Sequence, residues 1–258
     1  MARKRERFER SDVPKDTKYR PLIGLAVLAI IGAVGFFFVR TLWGHVQIES
    51  RMGDPMMVDA LDDQTGPTTL EGNFEYTEND IEKIFFLQVD DVDAERPKVV
   101  AAQLLLLDPT GGTAHLVDVP VNMLVNSEGS SYAFNEFFSS FGPEASVRLL
   151  ATAYNIYADH VIMGTINPWD RIMGLDGVSS FEVVGKDEEF VRSMRTDLDA
   201  GDIVKHAALL NTLGVGALEV ETTPLVGGTP AEGEEAPATV SIDLVPFGIQ
   251  TGILIPNE

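Results

Sequence analysis

The distribution of apolar and polar positions changes character along the chain, and each change predicts a different element. Pro21 to Val39 is an unbroken run without charge. At about 1.5 Å of rise per helical residue it covers roughly 28 Å, close to the ~30 Å hydrocarbon core of a bilayer. A membrane-spanning helix over 21–40 is expected. Between residues 41 and 80 no period survives, because Gly53-Asp54-Pro55 and then Asp62-Asp63, Gly66 and Pro67 interrupt it; this stretch reads as a stalk with little regular structure. Ile84 to Val89 and Lys98 to Leu107 are then short apolar runs without clean alternation, as expected of strands buried on both faces.

Asp108-Pro-Thr-Gly-Gly112 supplies turn residues between the second of these strands and another at Ala114 to Val117, since glycine tolerates the positive φ of tight loops. The period next becomes helical. Phe134, Phe137, Phe138 and Phe141 fall at i, i+3, i+4, i+7, and so do Val147, Leu150, Ala151 and Tyr154, with Gly142-Pro143-Glu144 between the two helices. A strand is expected at His160 to Gly164, followed by an Asn167-Pro168 helix start running to Met173. Phe181 to Val184 reads as a strand, and 187–194 and 201–213 as helices. Residues 226–238, rich in Gly, Pro, Glu and Thr, read as a mobile loop. The apolar positions of 239–256 suggest a strand or hairpin. The fold class that follows is α/β, a layered α-β-α domain with a central mixed sheet over 81–258, preceded by one N-terminal transmembrane helix.

Charge orients this arrangement. The first twenty residues carry eight cations against Glu6, Glu9, Asp12 and Asp16, so the positive-inside rule keeps the 1–20 tail in the cytoplasm and sends the rest across the membrane. A cleavable signal peptide would instead have a shorter apolar stretch ending in small residues, whereas this run ends in Phe36-Phe37-Phe38-Val39-Arg40. Ten basic and 36 acidic residues follow the span, a net of about −26. That acidity argues against nucleic acid as a partner, because binding the phosphate backbone needs clustered Lys and Arg. With no cysteine anywhere, disulfides, thiolate metal sites and thiol nucleophiles are excluded.

The general catalytic motifs are missing: there is no G-x-S-x-G elbow, no H-E-x-x-H and no G-x-x-x-x-G-K-[ST] loop. Gly214-Val-Gly216 lacks a third glycine and follows a helix, so it reads as a helix stop and turn. His45, His115, His160 and His206 have no ligand-like spacing and read as structural or surface residues. Asp90 and Asp91 close a buried strand, where carboxylates can hold a divalent cation such as Mg²⁺ on phosphates; strand ends are equally the place where solvent begins.

The order of elements from Ile81 to Val184 resembles the LytR-CpsA-Psr family, the cell-envelope-related transcriptional attenuator domain. Ile84-Phe-Phe-Leu-Gln-Val-Asp90 stands where that family has I-L-L-L-G-x-D. Lys98-Val-Val-Ala101 stands at its R-x-D-T, and Asp118-Val-Pro-Val-Asn-Met123 at its S-I-P-R-D-T. Phe141-Gly-Pro-Glu144, Ala158-Asp-His-Val161, Thr165 to Met173 and Asp176-Gly-Val178 mirror the later G-P-E, I-D-H-Y, D-F-x-G-F and G-G-V patterns.

The resemblance implies a membrane-anchored, extracytoplasmic bacterial protein handling cell-wall glycopolymers on a polyprenyl-pyrophosphate carrier. It also implies departures. Lys98 and Val121 stand at positions of family arginines and Val100 at that of a metal-linked aspartate, and no closing run of spaced arginines follows Val184. An alkyl group cannot make the bidentate contact by which arginine neutralises an oxyanion. The resemblance therefore points to a catalytically impaired relative that binds a polyprenyl-phosphate lipid or regulates an active homologue. Its polar remnant would be Asp90, Asp91, Lys98 and Asn122, with Mg²⁺ on Asp90 and Asp91. An apolar tunnel for the lipid would draw on Phe134, Phe137, Phe138, Ile166, Trp169, Ile172 and Met173, each of which is otherwise plain core. An active Mg²⁺-dependent transferase with an altered site, and a structural subunit of an envelope complex, remain as alternatives.

Overall fold

The structure, a computed structural model, describes residues 20–62, 64–70, 72–213, 219–227 and 238–256, without the side chains of 20–24 and 41–49. The basic tail before Arg20, Gly214 to Gly216 and most of the 226–238 loop lie outside the described residues. Residues up to Val46 form one compact unit and Gln47–Glu258 another. In the first, helix α1 (Arg20–Glu49) exposes its side chains from 25 to 40. Among the described residues no helix is long and apolar enough to cross a membrane.

The second unit runs α2 (Pro55–Leu61), β1 (Phe74–Tyr76), β2 (Glu82–Val89), β3 (Val99–Asp108), β4 (Thr113–Asp118), β5 (Leu124–Ser127), β6 (Ser130–Ala133) and α3 (Phe134–Tyr154). It continues with β7 (His160–Gly164), α4 (Trp169–Met173), α5 (Val183–Lys186), α6 (Glu188–Arg192), β8 (Met194–Thr196), α7 (Ala200–Thr212), β9 (Val220–Thr222), α8 (Leu244–Gln250) and β10 (Leu254–Pro256). A six-stranded mixed sheet in the order β8-β7-β2-β3-β4-β9 forms the centre. The pairings of β2 with β7 and of β4 with β9 are parallel, and β3 runs antiparallel to both β2 and β4. It follows that β2, β4, β7 and β9 all point the same way, with their C-terminal ends along one edge.

The two-residue period of the strands sorts the core into two layers. Phe85, Leu87 and Val89 of β2 face α3, with Leu104 and Leu106 of β3 and Val161 and Met163 of β7. Ile84 and Phe86 face the other way with Leu105, Leu107 and Ile162, and α4, α6 and α7 cover them through Trp169, Ile172, Phe190, Ile203, Ala207 and Leu210. Strands β2, β3 and β7 are thus buried on both faces over most of their length, which is why their sequences are apolar runs rather than alternations. The β3–β4 hairpin closes at Gly112, whose φ of 68° only glycine adopts without cost. Within α3 the two expected helical stretches meet at Gly142 (φ 81°, ψ 179°) and Pro143, a break that turns the Phe-rich first half away from the Val147–Tyr154 half.

Several expectations fail. The 41–80 stretch is not a bare stalk: Asp54 caps α2 by accepting the Met56 N–H at 2.9 Å, and α2 buries Met57 and Ala60 completely in the α3-side core. Residues 181–184 are helical rather than a strand. Ser179 and Glu182 form a capping box that starts a 3₁₀ turn, leaving Phe181 98 % exposed before α5. The tail after Ala238 is a strand only at its end, and that strand lies outside the central sheet. Leu244–Gln250 is a helix with Phe247 in the core, and β10 pairs with β1 in a separate two-stranded ribbon.

Candidate functional site

Ligands of open α/β sheets sit beyond the carboxyl ends of the co-directed strands. Asp90 follows the end of β2 there, and Lys98 stands beside it at the start of β3. Asp90 Oδ1 accepts the backbone N–H of Lys98 at 2.8 Å and that of Asp91 at 2.9 Å, closing the 90–98 loop. The Lys98 amide, first, and then that of Asp91 hold the Asp90 carboxyl below its ordinary pKa, so it is ionised and exposed at neutral pH. Asp91 Oδ1 accepts the Asp93 N–H at 2.9 Å. One oxygen of each carboxylate is therefore committed to folding the loop. Among the described residues no third metal-capable side chain joins them. Two carboxylates are nonetheless what Mg²⁺ commonly takes from a protein, the rest of its octahedral shell being water and substrate phosphate.

Asn122, the fourth member of the polar remnant, follows β4, where its carbonyl accepts the Val240 N–H at 3.2 Å. It is half-buried beside Val121, which packs against the α3-side core. Val100, by contrast, is 55 % exposed on β3. At this edge Arg51 donates through one nitrogen to both oxygens of Asp93 in the 90–98 loop, at 2.9 and 2.7 Å, and neutral side chains meet nearby. Gln103 Oε1 accepts the indole N–H of Trp169 at 3.0 Å, and the Asn167 side chain accepts the Trp169 backbone N–H at 3.0 Å to start α4.

The residues expected to line one apolar tunnel do not share a face. Phe134, Phe137 and Phe138 lie in the α3-side core, whereas Trp169, Ile172 and Met173 pack in the layer on the opposite side of the sheet. Ile166 is half-buried in the loop between β7 and α4. Phe137 stacks on Phe141 with centroids 4.4 Å apart, and Phe86 meets Trp169 edge to face at 6.1 Å. Six strands of backbone stand between the two groups, so they are two halves of the core. On the α3 side a cavity of about 220 Å³ lies between β5, the C-terminal half of α3 and the 241–244 segment, lined by Met123, Leu149, Ala153, Ile242 and Leu244 among others. None of the tunnel candidates lines it.

A cluster that histidine spacing does not reveal lies at the opposite, N-terminal edge of the sheet. Glu82 on β2 and His160 on β7 share the strand parity of Ile84, Phe86 and Ile162, which directs them to the α7 side. His206 of α7, three residues after Ile203 and four before Leu210, meets them from above. His206 Nε2 lies 2.8 Å and His160 Nε2 3.3 Å from the same oxygen of Glu82. The other ring nitrogens are also held: His160 Nδ1 by the Asp197 carboxylate at 2.6 Å, and His206 Nδ1 by the Asp202 carbonyl at 2.7 Å. Asp197 in turn accepts the Val161 N–H at 2.8 Å.

Burial pulls the His160 pKa down, but its hydrogen bonds to Asp197 and Glu82 and their charges outweigh this and push it up to about 10. For Glu82 burial works upward, and the two imidazoles more than offset it, drawing the carboxyl down to about 2. Strand parity was the sequence signal that could have paired Glu82 with His160; nothing local assigns His206 to the same face.

No protein-family model and no curated protein matches the sequence. Among solved structures, TagV of Bacillus subtilis is 10 % identical, overlapping 68 % of this chain and 96 % of that one with a TM-score of 0.48. The transcriptional regulator yvhJ from Bacillus subtilis is 12 % identical over 68 % and 96 %, with a TM-score of 0.47. TagT bound to LI-WTA is 15 % identical over 69 % and 89 %, with a TM-score of 0.39.

Proposed function

We propose that this chain is an extracytoplasmic relative of the LytR-CpsA-Psr proteins, anchored by the uncharged apolar run of residues 21–39, that takes part in cell-envelope glycopolymer assembly by binding rather than by catalysis. The observation that carries the reading is the state of the strand-end edge. The motif positions matched in the sequence place Asp90 and Lys98 together where β2 ends and β3 begins. At the positions of the family's charged groups, Val100 stands exposed and Val121 is packed onto the core. At the matched positions this edge offers an anionic carboxylate and one flexible ammonium, and the guanidinium that does stand by the 90–98 loop, that of Arg51, is paired with Asp93. The edge lacks at those positions the planar guanidinium that grips a phosphate through two parallel hydrogen bonds.

Binding without turnover is what that chemistry supports. A polyprenyl-phosphate headgroup can be held by Lys98 and amide donors, while the developing charge of a pyrophosphate cleavage goes unneutralised. The basic tail before Arg20 and the acidic remainder support an outward orientation of the Gln47–Glu258 unit. Native mass spectrometry of the full chain in mild detergent, with and without undecaprenyl phosphate, tests the reading. A retained lipid of defined mass, without release of phosphate from the pyrophosphate form, is the expected result. A lipid-free protein under conditions where an active relative loads sinks the lipid-binding reading, and steady phosphate release sinks the non-catalytic one.

A further inference from the structure

We propose that Glu82, His160 and His206 form a binding site for one divalent transition metal ion, Zn²⁺ by preference, which clips helix α7 to the N-terminal ends of β2 and β7. One ligand atom from each residue can be chosen so that all lie within 4.8 Å of one another. The inference is independent of the proposed function, since the cluster lies at the other edge of the sheet from Asp90 and Lys98.

The hydrogen-bond directions carry the argument. The Asp202 carbonyl only accepts, so His206 Nδ1 donates to it, and His160 Nδ1 donates to the Asp197 carboxylate. Both Nε2 atoms are thereby aimed at Glu82, on rings whose centroids stand 5.3 Å apart. Two imidazole lone pairs and a carboxylate oxygen then face one small space, a donor set that a single cation bridges.

Geometry and donor type agree with this assignment. Zn–N and Zn–O bonds of about 2.0–2.1 Å in a tetrahedron put ligand atoms roughly 3.3 Å apart. The nitrogen–oxygen separations are 3.3 and 2.8 Å. Two imidazoles and one carboxylate suit zinc-like ions and not Mg²⁺ or Ca²⁺, which take oxygen shells. Asp197 and the Asp202 carbonyl occupy the outer positions that orient ligating histidines and fix their tautomer. Asp197 is itself locked by the Val161 amide. Side-chain exposures of 26 % for His160 and 28 % for Glu82 leave a route for the ion and room for water in the fourth position.

The test uses the full chain, purified in detergent without a polyhistidine tag, stripped with a chelator and titrated with Co²⁺, whose visible absorption reports the ligand field. One equivalent should bind saturably and be displaced by Zn²⁺, and Zn²⁺ should raise the unfolding temperature of the stripped protein. His206→Ala and His160→Gln should each weaken binding at least tenfold, and Glu82→Gln should change the cobalt spectrum. His115→Gln, which removes a histidine outside the cluster, should change none of these. Absence of a saturable one-equivalent signal in the wild-type chain overturns the proposal whether or not the variants fold. Undiminished binding by a folded His160→Gln, His206→Ala double variant overturns it as well.

Discussion

The side chain of Asn155 grips both backbone groups of Thr68: its carbonyl oxygen accepts the Thr68 N–H at 2.7 Å, and its amide donates to the Thr68 carbonyl at 2.8 Å. It does so from the C-cap of α3, in the left-handed region at φ 54°, ψ 43°. Asparagine is among the few residues other than glycine that visit this region routinely, and its short amide mimics a strand partner for a segment that lacks one. Asn155→Ala should therefore lose in two ways, through the hydrogen bonds and through backbone strain, for a total of about 2–3 kcal/mol. Asn155→Gly should lose only the first part and fall between alanine and wild type in urea unfolding. Equal losses for the two variants would show that the backbone conformation contributes nothing.

Tyr154, one residue earlier, sets the alkaline limit of the fold. Burial, the largest influence, and then the nearby Asp118 charge raise its pKa, against a hydrogen bond with Thr223 at 3.0 Å that lowers it. A phenol whose folded pKa lies above its ordinary value near 10 contributes stability that is fully present below pH 10 and is lost as pH climbs further. Tyr154→Phe should cost about 1 kcal/mol at neutral pH, from the lost hydrogen bond to Thr223, whose hydroxyl keeps its own bond to the Asp118 carbonyl. Above pH 10 its stability should fall less steeply than that of wild type, with the two curves converging. Tyr76, also raised by burial, is kept in both proteins, so the difference isolates Tyr154. Parallel curves to pH 11 would contradict this account.

Gly142 carries the break in α3 at a φ, ψ combination of 81°, 179° that is essentially confined to glycine. Nothing lies within 4 Å of where its Cβ would be, so any cost of substitution is conformational rather than steric. Gly142→Ala should destabilise by about 1–3 kcal/mol. Gly185, which also has open space around it but no positive φ, should tolerate alanine with a change close to zero. Thermal unfolding of the two variants side by side makes the comparison.

Where the sequence was legible, the signal was local. The β2–β3–β4 meander could be read because β2 and β3 carry long apolar runs, Leu116 and Val117 continue them in β4, and Asp108–Gly112 closes the second turn. The helices of 134–154 could be read because phenylalanines recur on one face and Gly142-Pro143 marks the break. Phe181 to Val184 misled because bulky and β-branched residues favour strands, while the Ser179 and Glu182 capping pair that wins lies partly outside the window. The β5–β6 hairpin went unnoticed although Glu128 and Gly129 both take positive φ at its tip. Ile242 and Leu244 look like an alternating strand, yet Leu244 begins α8. The Glu82, His160 and His206 cluster was not legible at all from spacing. It is assembled by a parallel strand pairing and a covering helix, and sequence distance carries no record of either.

The proposed impairment is tested by restoring charge at three positions of the strand-end edge. Lys98 and Val100 are exposed on β3, so arginine and aspartate there meet solvent and add little strain. Val121 is half-buried against the core, but arginine can lay its stem along that apolar surface and keep its guanidinium outside. The triple variant Lys98→Arg, Val100→Asp, Val121→Arg should remain folded and release phosphate from a polyprenyl-pyrophosphate donor with Mg²⁺ at a rate at least about 100-fold above wild type, the effect typical of one oxyanion donor. Adding Asp90→Asn should return that gain to the wild-type level if Asp90 completes the restored metal site. A folded triple variant that gains nothing would place the impairment elsewhere, in the arginine run absent after Val184, whereas a wild-type chain already as fast as the triple variant would mean that Lys98 alone suffices.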